Sequence, residues 1–263
     1  MDQDPQSRPR RGLVFGPPAS GLEVVAHELA TQLDEVEVWD GSEPWPSPDL
    51  LERADAGHWF LLVRTEARES CSLRRLLASG RGESLAGTLD LLASSRQRQR
   101  GLRVRARTVL DASRLTDEEL RRRVRSLVKA GLGRLSPPVV VLESFGYPRG
   151  LPLDLDWCCD ARVLRNPYWE ERLRPLSGMD PEVKQFVLQQ PLARLLVERM
   201  EGLVLEQMPA WSDQGRQVIR LGMGCTGGFH RSVALCEELG ERLTRRGLPV
   251  VRWHREVSDH LGG

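Results

Sequence analysis

Lysine is nearly missing from this chain. Of 38 basic residues only Lys129 and Lys184 are lysines and every other one is arginine. No lysine precedes Lys129, which excludes a lysine-bearing phosphate loop from the N-terminal half. Cysteine is scarce and odd in number: Cys71, Cys158, Cys159, Cys225 and Cys236 show no framework spacing. That excludes a disulfide scaffold and points to reduced thiols in a cytoplasmic setting. No apolar run approaches the ~20 residues that span a bilayer, so no membrane partner is expected. The N-terminus, "MDQDPQSRPRRG", lacks the apolar core of a signal peptide and reads as a short disordered leader over residues 1–11. Excess charge is also absent: the net value is +1, so bulk charge does not draw this chain to polyanions.

What remains is a chain of 263 residues, 40% hydrophobic and 29% charged, long enough for two modest globular domains. Strand patterns at "GLVF", "VEVW", "HWFLLV" and "TVLDAS" alternate with helical ones. The helices are expected up to Leu33, over 66–79, over 83–98, and through "LTDEELRRRVRSLVKAGLG". The last opens on a Thr116–Glu119 capping box, with Gly131 or Gly133 to end it. "LSPP", residues 135–138, marks a boundary. Beyond it come strand "VVVLESF", a loop-rich stretch up to Asp180, helices over 183–188 and 191–208, strand "QVIRLGMG", a helix from His230, and strand "PVVRW". Alternation of this kind predicts an α/β fold with parallel sheets in two domains, residues 12–136 and 137–263. The Arg-dense run over 96–107 reads as a solvated helix end plus loop, with contact to phosphates as the alternative.

Two strand–turn–helix junctions carry candidate chemistry. "GPPASGLE" has the glycines of a Walker A loop, Gly16 and Gly21, with Ser20 between them. The lysine position holds Leu22 and the Ser/Thr position holds Glu23, so the phosphate and magnesium contacts of such a loop are lost. Weak ATP or GTP binding by backbone amides at the helix start is the most this loop supports.

The second junction is "GMGCTGGFHRSV". Cys225 and Arg231 share the Cys-x5-Arg spacing of cysteine-dependent phosphatases, but so do Cys159 with Arg165 and Cys236 with Arg242. The spacing alone therefore decides nothing. Context does: glycines surround Cys225, a strand precedes it, and a helix follows. Glycines let successive N–H groups converge on an oxyanion. The helix N-terminus and Arg231 add positive charge, and His230 and Ser232 add donors. An anion-binding loop is favoured over a bare turn. Against a nucleophilic Cys225 stand Gly224, where such phosphatases commonly place His, and the lack of a general acid, with Asp154, Asp156 and Asp160 candidates by residue type only.

Several segments in register carry a resemblance to a known family. "ESFGYPRGLPLD", "CDARVLRNPYWEERLRPLSGMD" and "GCTGGFHRSV" resemble the RapZ/YvcJ family strongly over 139–256, and more faintly over 12–130. The resemblance implies a P-loop NTPase-like N-terminal domain, degenerate here, and a C-terminal α/β domain similar to a sugar-phosphate kinase domain. It implies a phosphosugar loop made of Cys225, Thr226, Gly227, Gly228, His230 and Arg231, to which Ser232 is added from the residue reading. Asp160, Arg162, Asn166 and Tyr168 would form the facing wall. Family members bind nucleotides, and one binds an amino-sugar phosphate and small RNAs as an adaptor for an endoribonuclease. Three departures weigh against RNA: the missing lysine, Pro148 and Phe229 where the family often has a basic or polar residue, and a C-terminus without a basic tail. The expected function is therefore a cytoplasmic regulator that binds a small phosphorylated ligand, an amino-sugar phosphate or nucleotide sugar. It would have no catalytic residues and no metal, and a regulatory protein partner or homo-oligomer would be in keeping with it. An RNA-binding adaptor and a phosphatase using Cys225 are the alternatives.

Overall fold

A computed structural model describes residues 10–44, 52, 61–81, 84–103, 105–106, 108–130, 132 and 137–257. Outside them lie nearly all of the expected leader, the start of "HWFLLV", Arg107, both candidate terminating glycines Gly131 and Gly133, and half of "LSPP". The chain divides into two compact units between Lys129 and Ala130.

The N-terminal unit runs β1 (Arg11–Phe15), α1 (Leu22–Leu29), β2 (Glu35–Trp39), β3 (Leu61–Glu66), α2 (Glu69–Ala78), α3 (Leu85–Arg98), β4 (Thr108–Asp111) and α4 (Asp117–Ala130). Its strands pair in the order β2-β1-β3-β4, all parallel. Parallel sheets are covered on both faces, so their strands are continuous apolar runs; Leu13, Val14, Phe15, Leu61, Leu62 and Val63 are all buried. The capping box of α4 is present. Thr116 N–H donates to Glu119 Oε2 at 2.7 Å, and Glu119 N–H donates to Thr116 Oγ1 at 3.3 Å. Helix α1 stops short of Leu33, because Thr31 turns its hydroxyl back to Glu28 O and Gln32 N–H bonds Leu29 O. The next two helices also start later than expected. β3 extends through Glu66, and Ser84 sets the start of α3 by accepting from Gly87 N–H.

The C-terminal unit runs β5 (Val139–Gly146), β6 (Trp157–Asp160), α5 (Pro181–Leu188), α6 (Pro191–Asp213), β7 (Val218–Cys225), α7 (Arg231–Arg245) and β8 (Val250–His254). The sheet order is β6-β7-β5-β8, again all parallel. One face of this sheet packs on α5, α6 and α7 through Leu142, Leu221, Met223, Val183, Val204, Leu235 and Leu239. Two expectations are corrected. Strand β6 lies inside the stretch read as loop. Helix α6 does not end at Met208 but continues through Pro209 to Asp213. An internal proline costs about 3 kcal/mol. Burial of Met208 and Trp211 offsets it, with the Trp211 ring set edge-on to Trp157 at 5.5 Å.

The connections reverse direction around the β5–β7 pair, where Gly146 lies beside Cys225 at the carboxyl ends. In open parallel sheets this is where a crevice opens. No helix among the described residues is long and apolar enough to cross a membrane, and no cluster of metal-ligating side chains occurs among them.

Candidate functional site

Each unit has a crevice at the carboxyl ends of its strands. The N-terminal one, about 360 Å³, is bordered by Ala19, Gly21, Leu22, Glu23, Asp40 and Arg75, among others. Several polar groups of the loop have partners within the protein. Ser20 N–H bonds Pro17 O at 3.2 Å, and the Ser20 hydroxyl bonds Pro17 O and Thr65 Oγ1, each at 2.6 Å. Gln99 Nε2 donates to Gly16 O at 2.7 Å. Arg75 donates to Ala19 O at 3.0 Å, Ala112 O at 2.8 Å and Leu115 O at 3.0 Å. Gly16 is squeezed, since a Cβ there would meet Thr65 O at 2.3 Å, and Gly21 has φ +86° at the start of α1. Leu22, in the lysine position, is buried.

The C-terminal crevice is larger, about 680 Å³, and is built from two segments. One is the turn from β7 into α7, which contributes Cys225, Thr226, Gly227, Phe229, His230 and Arg231. The other follows β6 and contributes Asn166, Tyr168, Trp169, Arg174 and Pro175. The glycines around Cys225 have separate tasks. Gly222 and Gly224 are not part of an oxyanion cradle: they lie inside β7, and a Cβ on them would strike Leu155, Phe145 or Tyr147. Gly228 has φ +72°, and a Cβ there would lie 2.3 Å from Glu256 Oε2 and 2.5 Å from Gly146 N. Gly227 faces open space.

Arg231 begins α7, a helix of 15 residues whose N-terminus has no side-chain cap. Its side chain is buried, with the residue 4% exposed. Nη1 donates to Leu164 O at 2.9 Å and Arg162 O at 3.2 Å, and Nη2 donates to Thr226 Oγ1 at 3.1 Å, while Nε has no hydrogen-bond partner. Among the described residues it forms no ion pair. Burial holds its pKa below the ordinary arginine value, with nearby Asp160 acting in the opposite sense. A buried cation without a counter-charge is costly, and this one borders a pocket.

Cys225 Sγ is buried and accepts from Gly228 N–H at 3.2 Å, with the Ser232 hydroxyl 3.1 Å away. His230 Nε2 bonds Arg174 O at 3.2 Å. Desolvation lowers the pKa of this imidazole, partly countered by the carbonyls of Arg174, Leu173 and Leu176. The neutral ring is therefore a fixed tie between the two segments. A second tie is Gly178 N–H to Phe229 O at 2.9 Å, and Gly178 has no room for a side chain, since a Cβ would meet His230 O at 2.2 Å.

Of the expected wall, Asn166 and Tyr168 border the pocket, whereas Asp160 and Arg162 do not. Asp160 caps the following turn at Arg162 N–H and grips the Arg162 guanidinium at 2.6–3.0 Å. That grip holds the Asp160 pKa below the usual carboxylate range. The Arg162 guanidinium lies 4.0 Å over the Tyr147 ring, and burial and Cys158 push the Tyr147 pKa up to about 12. Asp154 pairs with buried Arg220 at 3.0 Å, and Asp156 pairs with Arg216 at 2.5 Å. All three aspartates considered as general acids are thus committed to arginines. Reading the sequence missed Trp169 and Arg174. The signal for Trp169 was its position beside Tyr168 in a polar segment.

Elsewhere, Ser144 Oγ lies 3.0 Å from His254 Nδ1, and His254 Nε2 lies 2.9 Å from Glu237 Oε1. This has the composition of a hydrolase triad, but Ser144 is fully buried, so the chain of bonds clamps β5, β8 and α7 together. Three arginines of the Arg-dense run are tied internally. Arg96 bonds Glu69 at 2.5 Å, Arg98 bonds Gly41 O at 2.8 Å, and Arg105 bonds Gly101 O at 2.7 Å.

Comparison with known proteins identifies a family. Residues 138–258 match the family described as RapZ C-terminal domain. A nucleotide-binding protein of Geobacter metallireducens is 37% identical over 209 residues, covering 78% of this chain and 72% of that protein. One of Rubrobacter xylanophilus is 42% identical over 192 residues, 72% of this chain and 62% of its own length. One of Laribacter hongkongensis is 35% identical over 206 residues, 77% and 73% respectively.

Proposed function

The chain belongs to the RapZ family, and from that premise we propose that its C-terminal unit is a sensor for a small phosphorylated ligand, an amino-sugar phosphate or a nucleotide sugar. The observation that carries the reading is Arg231: a buried guanidinium with no ion pair among the described residues, at an uncapped helix start, bordering an open pocket. A phosphate there meets the helix dipole and a charge-assisted hydrogen bond together. Thr226 and Gly227 line the same base, and Asn166 and Tyr168 offer polar atoms to the rest of the ligand. The relatives are named for nucleotide binding. In this chain Gln99 and Arg75 take the Gly16 and Ala19 carbonyls, Thr65 and Pro17 take the Ser20 hydroxyl, and the lysine and hydroxyl positions hold Leu22 and Glu23, which supports a scaffold role for the N-terminal unit.

Calorimetry with glucosamine 6-phosphate and inorganic phosphate tests this. Arg231→Ala should lower affinity about tenfold or more, since a hydrogen bond to a charged group contributes about 1.5–3 kcal/mol. Arg231→Lys, which keeps the charge, should lose less and serves as the check on folding. Equal binding by wild type and Arg231→Ala would overturn the reading.

One observation supports a phosphatase as the second reading: Sγ of Cys225 has two donors within reach, Gly228 N–H and Ser232 Oγ–H, an arrangement that also holds a thiolate. Against it, Asp154, Asp156 and Asp160 are each bound to an arginine. Hydrolysis of an aryl phosphate, lost in Cys225→Ser, would establish the second reading. An RNA adaptor is not favoured, because three arginines of the Arg-dense run are held in internal contacts and the chain's net charge is only +1.

A further inference from the structure

We infer that the ligand of the C-terminal pocket carries two phosphoryl groups and a flat ring, as in a nucleoside diphosphate or its sugar ester, with Arg174 and Trp169 reading the part that a sugar monophosphate lacks. The inference rests on the phosphate-binding reading of Arg231 and specifies what else is bound.

The first observation is a second cation. Arg174 borders the same pocket as Arg231 but at its exposed side, and among the described residues it has no ion pair. Its Nε–H donates to Tyr168 O at 3.1 Å, and its guanidinium lies 5.1 Å from the Tyr168 ring centre. The charge is therefore held in place without being neutralised. The pocket thus holds two guanidiniums without an ion pair among the described residues, one buried and one exposed. A monophosphate satisfies the deep one; a diphosphate satisfies both.

The second observation is an aromatic platform. Trp169 is 76% exposed, whereas Trp39, Trp211 and Trp253 are each under 10%. It is not a loose side chain, for its ring stands at 83° to Tyr168 with centres 5.5 Å apart. Phe229 borders the pocket as well. A fixed, exposed indole at a pocket rim offers a face on which a heterocyclic base stacks. The third observation is size: about 680 Å³ suits a drug-sized ligand, and a hexose phosphate fills only part of it.

The test uses the full chain and calorimetry with four probes: inorganic phosphate, glucosamine 6-phosphate, uridine diphosphate and a uridine diphosphate hexose. The diphosphates should bind at least tenfold tighter than the monophosphate. Comparing the last two probes shows whether the sugar adds to binding. Trp169→Ala should weaken both diphosphates about tenfold, as removal of a stacking ring does, and leave the sugar monophosphate unchanged. Arg174→Gln should remove most of the diphosphate advantage. Arg231→Lys should weaken every probe, which places them in this pocket and not in the N-terminal crevice. Both new positions are exposed, so folding is not at stake. If the sugar monophosphate binds through Arg231 and Trp169→Ala weakens nothing, this inference fails alone. If no probe responds to Arg231, the phosphate-binding reading fails with it.

Discussion

The loops 16–23 and 224–232 follow one plan. A buried parallel strand ends, a turn with one left-handed glycine follows, and a helix begins. They differ in what faces the space above the turn. In the first loop the protein's own side chains take up the polar groups of the turn: Thr65, Gln99 and Arg75 arrive from elsewhere in the chain and bond it. In the second, a buried arginine keeps part of its hydrogen-bonding capacity and forms no ion pair among the described residues. A strand–turn–helix junction is thus a frame, and its use depends on distant residues that fill it or leave it open.

The comparison can be broken or sharpened by experiment, beginning with the largest expected effect. Asp154 and Arg220 form a pair whose side chains are 1% and 3% exposed, in the C-terminal unit. Removing one partner of such a pair costs about 3–5 kcal/mol, so Asp154→Ala should lower unfolding free energy by that much in urea titrations. The corresponding Glu35→Ala, which breaks the exposed Arg11–Glu35 pair in the N-terminal unit, should cost under about 1 kcal/mol. Next come the two left-handed glycines. Either one changed to Ala bears about 1–2 kcal/mol of backbone strain. Gly228→Ala also collides with Glu256 and the Gly146 amide and should total about 3 kcal/mol. Gly21→Ala meets the tip of the Leu120 side chain and touches Ala112 Cβ, with no backbone in the way, and should stay nearer the strain value. If the two cost the same, the packing difference between the loops is wrong.

Gln99→Leu should cost about 1–3 kcal/mol by baring the carbonyls of Gly16 and Asp40, while wild type and variant alike turn over no GTP. Measurable turnover would show that the filled loop still works. A smaller effect depends on pH. His230 has a depressed pKa in the folded state, so the unfolded chain binds the extra proton first. This contribution to stability is complete above the ordinary histidine value of about 6.5 and is lost as pH falls through it. The melting temperature of wild type should therefore drop more between pH 7.5 and about 5.5 than that of His230→Gln. The smallest effect is expected for Cys225→Ser. A hydroxyl accepts from Gly228 N–H as sulfur does, and affinity for a phosphate ester should change less than about twofold.

Much of this architecture is legible in the sequence where the signal is local. The capping box at Thr116 and Glu119, the apolar runs of β1, β5 and β7, and both glycine turns are written in neighbouring residues. The misses have nonlocal causes. β6 is four residues long and is a strand only because β7 pairs with it. Pro209 stays helical because Trp211, two residues on, finds Trp157. Gln99 lies 83 residues from the carbonyl it bonds, so no pattern at Gly16 reveals that the loop is filled. Asp160 and Arg162, two residues apart, satisfy each other instead of turning to the pocket, a choice between partners that residue type does not settle.

The two ties across the C-terminal pocket, His230 to Arg174 O and Gly178 to Phe229 O, have a kinetic consequence. They join the turn and the facing wall through the protein's own backbone carbonyls. A site assembled in advance captures its ligand in one step, without waiting for a rare open or closed form. Association should therefore show a single exponential whose rate rises linearly with ligand concentration, with no plateau. A receptor of that kind follows changes in metabolite level as fast as diffusion and release permit, which is the property a sensor needs.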